Sequence, residues 1–277
     1  MLWTPSAGAV KVISNSGIVG TGSPGSAVVS HATVANSFGS VVELISAANN
    51  VQDSWGIWVH LEGGGAATTI NERTTRILIG GATDDVLIPP LICGYSVIPG
   101  AGFSYFFPLH VPGGVRIAAD AASVRLGSSA RVLVYLFGGC PPPFRVGRKV
   151  TALGTQVDNS RGQTLTVAAS GGAASATQMI ASTTEDYFAF VPGFQPQNDA
   201  SITPAGFINV GIGVGAATEE RIGTWWFSKT TAEDSGGPVP AMPAFYDAPA
   251  GTRITMLCSN VGANDTGGYG GLVYAVS

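Results

Sequence analysis

Chemistry in this chain would have to come from few ionisable groups. Carboxylates stand side by side four times, at Asp84-Asp85, Glu185-Asp186, Glu219-Glu220 and Glu233-Asp234. A facing pair of acids can break a glycosidic bond. Neighbours on a strand point to opposite faces, however, so these pairs read as solvated loop ends. His31, His60 and His110 are spaced too widely for a local metal motif, and Asn264-Asp265-Thr266-Gly267-Gly268 lacks the repeating acids of a calcium loop and reads as a β-turn. Cys93, Cys140 and Cys258 are odd in number with no Cys-x-x-Cys pair, which argues against a disulfide framework or a zinc site and for small buried apolar side chains. No metal and no cofactor is expected.

One serine needs separate treatment. Asp234-Ser235-Gly236-Gly237-Pro238 resembles the nucleophile segment of chymotrypsin-like serine proteases, and Ile18-Val19-Gly20 resembles their mature N-terminus. That chemistry requires a histidine on the serine and an acid behind the histidine. The available His31 sits in Val29-Ser30-His31-Ala32-Thr33, without the small-residue and cysteine surround of that family, and Glu233 stands where the family carries glycine. An internal repeat, set out below, matches Ser235 with Leu87 in a Gly- and Pro-rich stretch, 80–90, read as a loop. The expectation is a protein without catalytic residues.

Aromatic residues carry the stronger signal. Trp225 and Trp226 adjoin in an apolar run, so alternation along a strand turns one ring inward and the other outward. An outward Trp serves as a platform for a sugar ring or as an anchor at a protein interface. Trp55 and Trp58 divide between the faces in the same way. The stretch 191–203, with Pro-Gly-Phe and Pro-Gln-Asn-Asp, reads as a long excursion of the kind that carries function on a rigid scaffold. The candidate interface or glycan contacts are therefore Trp225, Trp226, Phe194, Gln195, Asn198 and Asp199.

These residues must be positioned by strands. Short runs of β-branched and aromatic residues recur between Gly, Asn, Asp and Pro, at 28–34, 41–46, 55–60, 73–79, 103–108, 115–119 and 131–137, and again at 164–168, 177–180, 187–190, 207–214, 221–228, 253–259 and 271–276. Such spacing leaves no room for crossover helices and predicts an all-β sandwich or barrel. The chain also looks written twice. Gly65-Ala66-Ala67-Thr68 with Glu72-Arg73 answers Gly215-Ala216-Ala217-Thr218 with Glu220-Arg221; the turn Pro112-Gly113-Gly114-Val115-Arg116-Ile117 answers Pro249-Ala250-Gly251-Thr252-Arg253-Ile254; and Leu133-Val134-Tyr135 answers Leu272-Val273-Tyr274. A unit this long means two related domains rather than a solenoid, whose periods are about 20–50 residues. The expected plan is an extended N-terminal arm (1–25), a first β-sandwich or jelly roll (26–139), a linker stiffened by Pro141-Pro142-Pro143 (140–149) that holds the domains apart, and a second sandwich (150–277).

Charged residues make up only 11% of the chain, against about 25% in ordinary soluble domains. With three lysines, such a surface suits coverage by neighbouring subunits, because large interfaces are depleted in Lys and Glu. A net charge of −4 and the lack of a basic cluster outside Arg145, Arg148 and Lys149 argue against nucleic acid. No stretch has the length of a membrane span, and Met1-Leu2-Trp3-Thr4-Pro5 lacks a signal-peptide pattern, so synthesis in a cytoplasm is expected.

The paired turns that lead into Arg-Ile strands, and the closing strands Arg131-Val132-Leu133-Val134-Tyr135-Leu136-Phe137-Gly138 and Leu272-Val273-Tyr274, resemble structural proteins of tailed-bacteriophage virions. The resemblance implies a non-enzymatic virion component of the tail, neck or head decoration, with itself (a homo-oligomer) and other virion proteins as partners and the virion as its location. A glycan-binding or adhesion module facing a host-surface glycan is the alternative. An outward Trp on a flat apolar patch would favour assembly; one in a groove flanked by Asn and Asp would favour sugar.

Overall fold

The computed structural model describes residues 11–15, 26–64, 72–80, 84–93, 102–139, 142, 144–156, 158–197, 206–215, 219–229, 235–236, 241–261 and 268–277. These residues contain strands and no helix. The first half holds β1 (Lys11–Asn15), β2 (Ser26–Val29), β3 (Val42–Ile45), β4 (Gly56–Gly64), β5 (Arg73–Gly80), β6 (Asp84–Ile92), β7 (Gly102–Phe107), β8 (Arg116–Ser123) and β9 (Ser129–Gly138). The second holds β10 (Val150–Leu153), β11 (Gln163–Leu165), β12 (Ser175–Ile180), β13 (Tyr187–Gln197), β14 (Gly206–Val214), β15 (Glu220–Lys229), β16 (Ser235–Gly236), β17 (Ala244–Ala248), β18 (Ile254–Val261) and β19 (Gly268–Val276).

Sheet I runs β1-β9-β4-β7 with β2 also on β9, and sheet II runs β3-β8-β5-β6. Sheet III runs β10-β19-β13-β17 with β11 also on β19, and sheet IV runs β12-β18-β14-β15-β16. Apart from the short β16, the two halves have the same strand order, that of the double-sheet jelly roll. All the ladders are antiparallel, and Ile57, Val59, Leu61, Val132, Val134 and Leu136 alternate inward from sheet I as period-two patterning requires.

The turns before β8 and β18 are held alike. Gly114 and Gly251 both take positive φ, 74° and 91°, which glycine adopts without steric cost. Their N–H groups donate to the carbonyls of Asn50 (2.5 Å) and Thr183 (2.8 Å). The preceding N–H groups of Gly113 and Ala250 donate to Asp53 Oδ1 (2.8 Å) and Asp186 Oδ1 (2.7 Å). Arg116 then pairs with Asp84 at 2.5 Å, and Arg253 with Glu219 at 2.6 Å. The Pro-x-Gly-x-Arg-Ile pattern is thus a tied turn followed by an arginine that reaches across a strand to the next acid.

Several expectations are corrected. The Gly-Ala-Ala-Thr stretches lie largely outside the described residues, but their flanks show that this register fails. Glu72 precedes β5 whereas Glu220 opens β15, the counterpart of β6. The stretch containing Leu87 is strand β6 rather than a loop; Pro89 and Pro90 sit where irregularities interrupt its ladder with β5. The 191–203 excursion begins as strand β13, buried along its whole length. Beyond Phe190 this strand is paired only with β19, so Pro192 and Pro196, an even number of residues apart, both turn their missing N–H to the unpaired edge. The N-terminal arm contributes β1, which pairs with β9 from Lys11↔Gly138 to Asn15↔Tyr135.

The linker is no spacer. Phe144 packs edge-on against Trp55 (5.3 Å) and Phe106 (5.9 Å) and meets Phe245 of the second half at 5.7 Å. Gly147 bridges to Leu109 in parallel, and the Arg148 N–H donates to the Ser277 carbonyl at 2.7 Å. Across the junction, Tyr274 of β19 packs edge-on against Tyr105 (5.6 Å) and Phe107 (6.2 Å) of β7. One buried apolar cluster runs through both halves. The outer face of sheet III is therefore an internal wall, which is why β13 reads as a nearly unbroken apolar run.

Candidate functional site

Sheet IV has one face in the core and one in solvent. Ile208, Val210 and Ile212 of β14 and Trp225 and Phe227 of β15 point inward, and the Trp225 Nε1–H donates to the Met242 carbonyl at 3.0 Å. Trp226 points out, 51% exposed, with Phe207 beside it at 49%; the rings meet edge to face at 6.2 Å. Asn209 lies between them on β14, directly across the ladder from Trp226. Its Oδ1 is buried and without a hydrogen-bond partner among the described residues. Thr224 and Ser228 continue the exposed side of β15, and the Arg221 guanidinium lies over Gly211, the next outward position of β14, so this aromatic patch is bordered by one positive charge. The inward and outward tryptophans follow the strand alternation read from sequence. Phe194 and Gln195 do not join them: both are buried in β13, where Phe194 stacks on Tyr269 (5.0 Å) and the Gln195 amide donates to the Ser160 carbonyl at 3.1 Å. Asn198 and Asp199 lie outside the described residues.

Several ionisable groups are held in structural pairs. Asp84 is taken by Arg116 while Asp85 points to solvent, the opposite facing expected of neighbours on a strand. Glu185 pairs with Lys149 at 2.5 Å, and this bond holds the carboxyl below its ordinary range and the ammonium above its own. A depression of about 490 Å³ is lined by Glu220, Tyr246, Thr252 and Arg253 among others. Its Tyr246 hydroxyl donates to Glu220 at 3.3 Å, and the carboxylate charge raises the phenol above its usual range. A second depression, about 390 Å³, is lined by Ser30, His31, Ala32, Gly39, Ser40 and Val42, all of the first half. There His31 Nδ1 accepts N–H bonds from Thr33 (3.2 Å) and Val34 (3.0 Å), which occupies the nitrogen a catalytic role would need oriented. Ser235 lies in β16, paired with Lys229.

One contact escaped the sequence. His60 and Ser104, opposite each other on β4 and β7, share a hydrogen bond of 2.8 Å between Nδ1 and Oγ. Desolvation holds His60 below the ordinary histidine range against the opposing charge of Glu62. Ser104 is buried. Only the pairing of two strands 44 residues apart brings these residues together, and neither carries a local motif. Cys93 and Cys258 are buried free thiols, and no group of three or more His, Cys, Asp or Glu is placed to hold a metal among the described residues.

No protein-family model and no curated protein matches the chain. Among solved structures, a PNGF-II structure aligns with 97% of this chain at 10% identity and a TM-score of 0.39, and the chain spans 63% of that protein's length. The glycosylasparaginase PNGase F from Flavobacterium meningosepticum aligns with 92% of this chain and 96% of its own, at 12% identity and a TM-score of 0.32. Broad bean stain virus, solved by cryo-electron microscopy, aligns with all of this chain and 92% of its own, at 9% identity and a TM-score of 0.32. Weak structural neighbours thus include both a glycan-directed enzyme and a virus particle, and likeness at this level assigns the chain to no family.

Proposed function

We propose that this chain is a non-enzymatic structural protein that acts through subunit assembly, as a component of a virion in the tail, neck or head decoration. The observation that carries the reading is the exposed aromatic patch of Phe207 and Trp226, with Asn209 beside them, on the open face of sheet IV. Half-exposed aromatic rings on a surface poor in charge are the composition of an interface core awaiting a partner. Two jelly rolls fused through one core form a rigid block, a form used in virus capsids and also in lectins. Other virion proteins are the further partners on this reading. Sedimentation of the full chain over a wide concentration range tests it: reversible or stable assemblies are expected, and a monomer throughout that enters no particle with its natural partners would refute it. A fluorophosphonate probe should leave Ser235 unlabelled.

Glycan binding is the second reading, favoured by the exposed indole of Trp226 with Asn209 directly across the ladder, because such a ring can stack on a sugar. Saccharide titration that quenches tryptophan fluorescence in the native protein, but not in Trp226→Ala, would support it over assembly.

A further inference from the structure

The exposed residues of the second jelly roll occupy the positions by which the first jelly roll contacts the second. In sheet II, Ile79 partners Ile117, which follows Arg116; in sheet IV, Val214 partners Ile254, which follows Arg253. Counting back along β5 and β14 from these matched residues pairs Thr74 with Asn209 and Glu72 with Phe207. Across the ladders, Thr74 faces Ile92 and Asn209 faces Trp226, so Ile92 and Trp226 are counterparts. The Asp84–Arg116 and Glu219–Arg253 pairs fall on counterpart positions at the Ile79 and Val214 end, and the extra irregularity in the β5–β6 ladder accounts for the one residue by which β6 is longer than β15 between there and Ile92.

The first-half members are all buried, and each touches the second jelly roll. Glu72 pairs with Arg161, and the Thr74 hydroxyl donates to the Asn159 carbonyl. The Ile92 N–H donates to the Tyr274 hydroxyl at 2.7 Å. Their counterparts Phe207 and Trp226 are half exposed, and Asn209 has a stranded acceptor. The other side of the junction also has a counterpart. Tyr274 on sheet III corresponds to Tyr135 on sheet I, each six residues after the first residue of its closing strand, and across the ladder Tyr135 faces Trp58 as Tyr274 faces Val191. Tyr135 is only partly buried, and packs on Trp58 at 5.7 Å; the Trp58 Nε1–H has no partner among the described residues.

We infer that a second copy of this chain docks its first jelly roll on the open face of sheet IV in the manner in which the second jelly roll docks on sheet II within the chain, with Tyr135 of that copy against Trp226. The contact is heterologous, so repetition closes a ring or extends a filament. The inference rests on the assembly reading above and names its partner and its geometry.

Cysteine cross-linking in the full-length chain, on a Cys140→Ser background, tests it. Trp226→Cys combined with Tyr135→Cys should give, on mild oxidation, a ladder of covalently joined chains longer than two, while each single variant stays at one chain length. A disulfide-linked dimer from Trp226→Cys alone would show face-to-face pairing and overturn the inference. In parallel, Phe207→Glu, placed on a half-exposed side chain, should raise the concentration midpoint of association by about thirtyfold, the loss typical of an interface hot spot. A full chain that assembles without cross-linking and without response to Phe207→Glu would overturn the inference and leave the structural reading standing. A full chain that stays monomeric at every concentration would overturn both.

Discussion

Replacing Tyr274 by phenylalanine removes one oxygen from the middle of the junction between the halves. That hydroxyl accepts the Ile92 N–H at 2.7 Å and donates to the Pro90 carbonyl at 3.0 Å. Complete burial pushes its ionisation far above the ordinary phenol range, so it acts as a neutral donor at any workable pH. Tyr274→Phe keeps the ring and its contacts with Tyr105 and Phe107, yet strands a buried donor and leaves a buried acceptor without this proton. A stranded buried donor costs about 1–3 kcal/mol and the lost acceptor bond about 1 more, for a total of about 2–4 kcal/mol. At this chain length each kcal/mol lowers Tm by about 2–4 °C, so a fall of roughly 4–16 °C is expected by scanning calorimetry. Tyr246→Phe, which removes an exposed hydroxyl, serves as the control and should change stability by less than about 0.5 kcal/mol. A Tyr274→Phe protein as stable as its parent would refute the shared junction, as would heat absorption by the parent in two well-separated transitions that respond independently.

Three further outcomes follow from particular side chains. Trp225→Ala should cost about 3–5 kcal/mol in urea unfolding because it empties the core of the second jelly roll, whereas Trp226→Ala should cost the isolated chain less than about 1 kcal/mol; equal losses would contradict the inward and outward assignment. His60 is held below the ordinary histidine range by burial, so below about pH 6.5 the unfolded chain binds a proton that the folded chain refuses. Stability should therefore decline as pH falls from about 6.5 towards the depressed folded value, and His60→Gln should flatten that part of the urea-midpoint profile; an unchanged profile would count against it. Desolvation pushes Cys93 up to about 11 and Cys258 up to about 12, so iodoacetamide at pH 8 should label neither in the native protein and both after unfolding in urea, mapped by mass spectrometry.

Fold class was legible because it rests on local periodicity. Runs such as 73–79 and 207–214 became β5 and β14 almost residue for residue. What failed was where proline and glycine interrupted a strand supported from outside itself. Pro89 and Pro90 in β6, and Pro192, Gly193 and Pro196 in β13, are punctuation in a lone sequence; packing across the junction and an unpaired edge make them tolerable. The likeness of the two turns was readable in the Pro-x-Gly-x-Arg-Ile pattern, whose ties to Asp53 and Asp186 recur, whereas the Gly-Ala-Ala-Thr match was misleading, because Glu72 precedes β5 and Glu220 opens β15. Of the candidate site, strand alternation divided Trp225 and Trp226 between the two faces without saying which ring is outward; the structure turns Trp226 to solvent. Phe207 and Asn209 were out of reach, because their proximity to Trp226 depends on the β14–β15 register.

The position of β9 and β19 bears on how the chain acquires its shape. Each is the last strand of its half in chain order, yet each sits inside its sheet: β9 between β4 and the strands β1 and β2, and β19 between β13 and the strands β10 and β11. Neither sheet can close until that strand arrives, and nearly every ladder joins residues distant in sequence. A nascent chain would thus carry open strand edges through most of its synthesis, and the closing step would be slow because the ladders of β9 with β4 and of β19 with β13 span long stretches of chain. The first half can shut once β9 emerges, but its junction surface around Ile92, Tyr105 and Phe107 stays uncovered until Tyr274, near the end of β19, is in place. During that interval a chaperone, or another copy of the protein, meets the same apolar surface that the finished molecule hides.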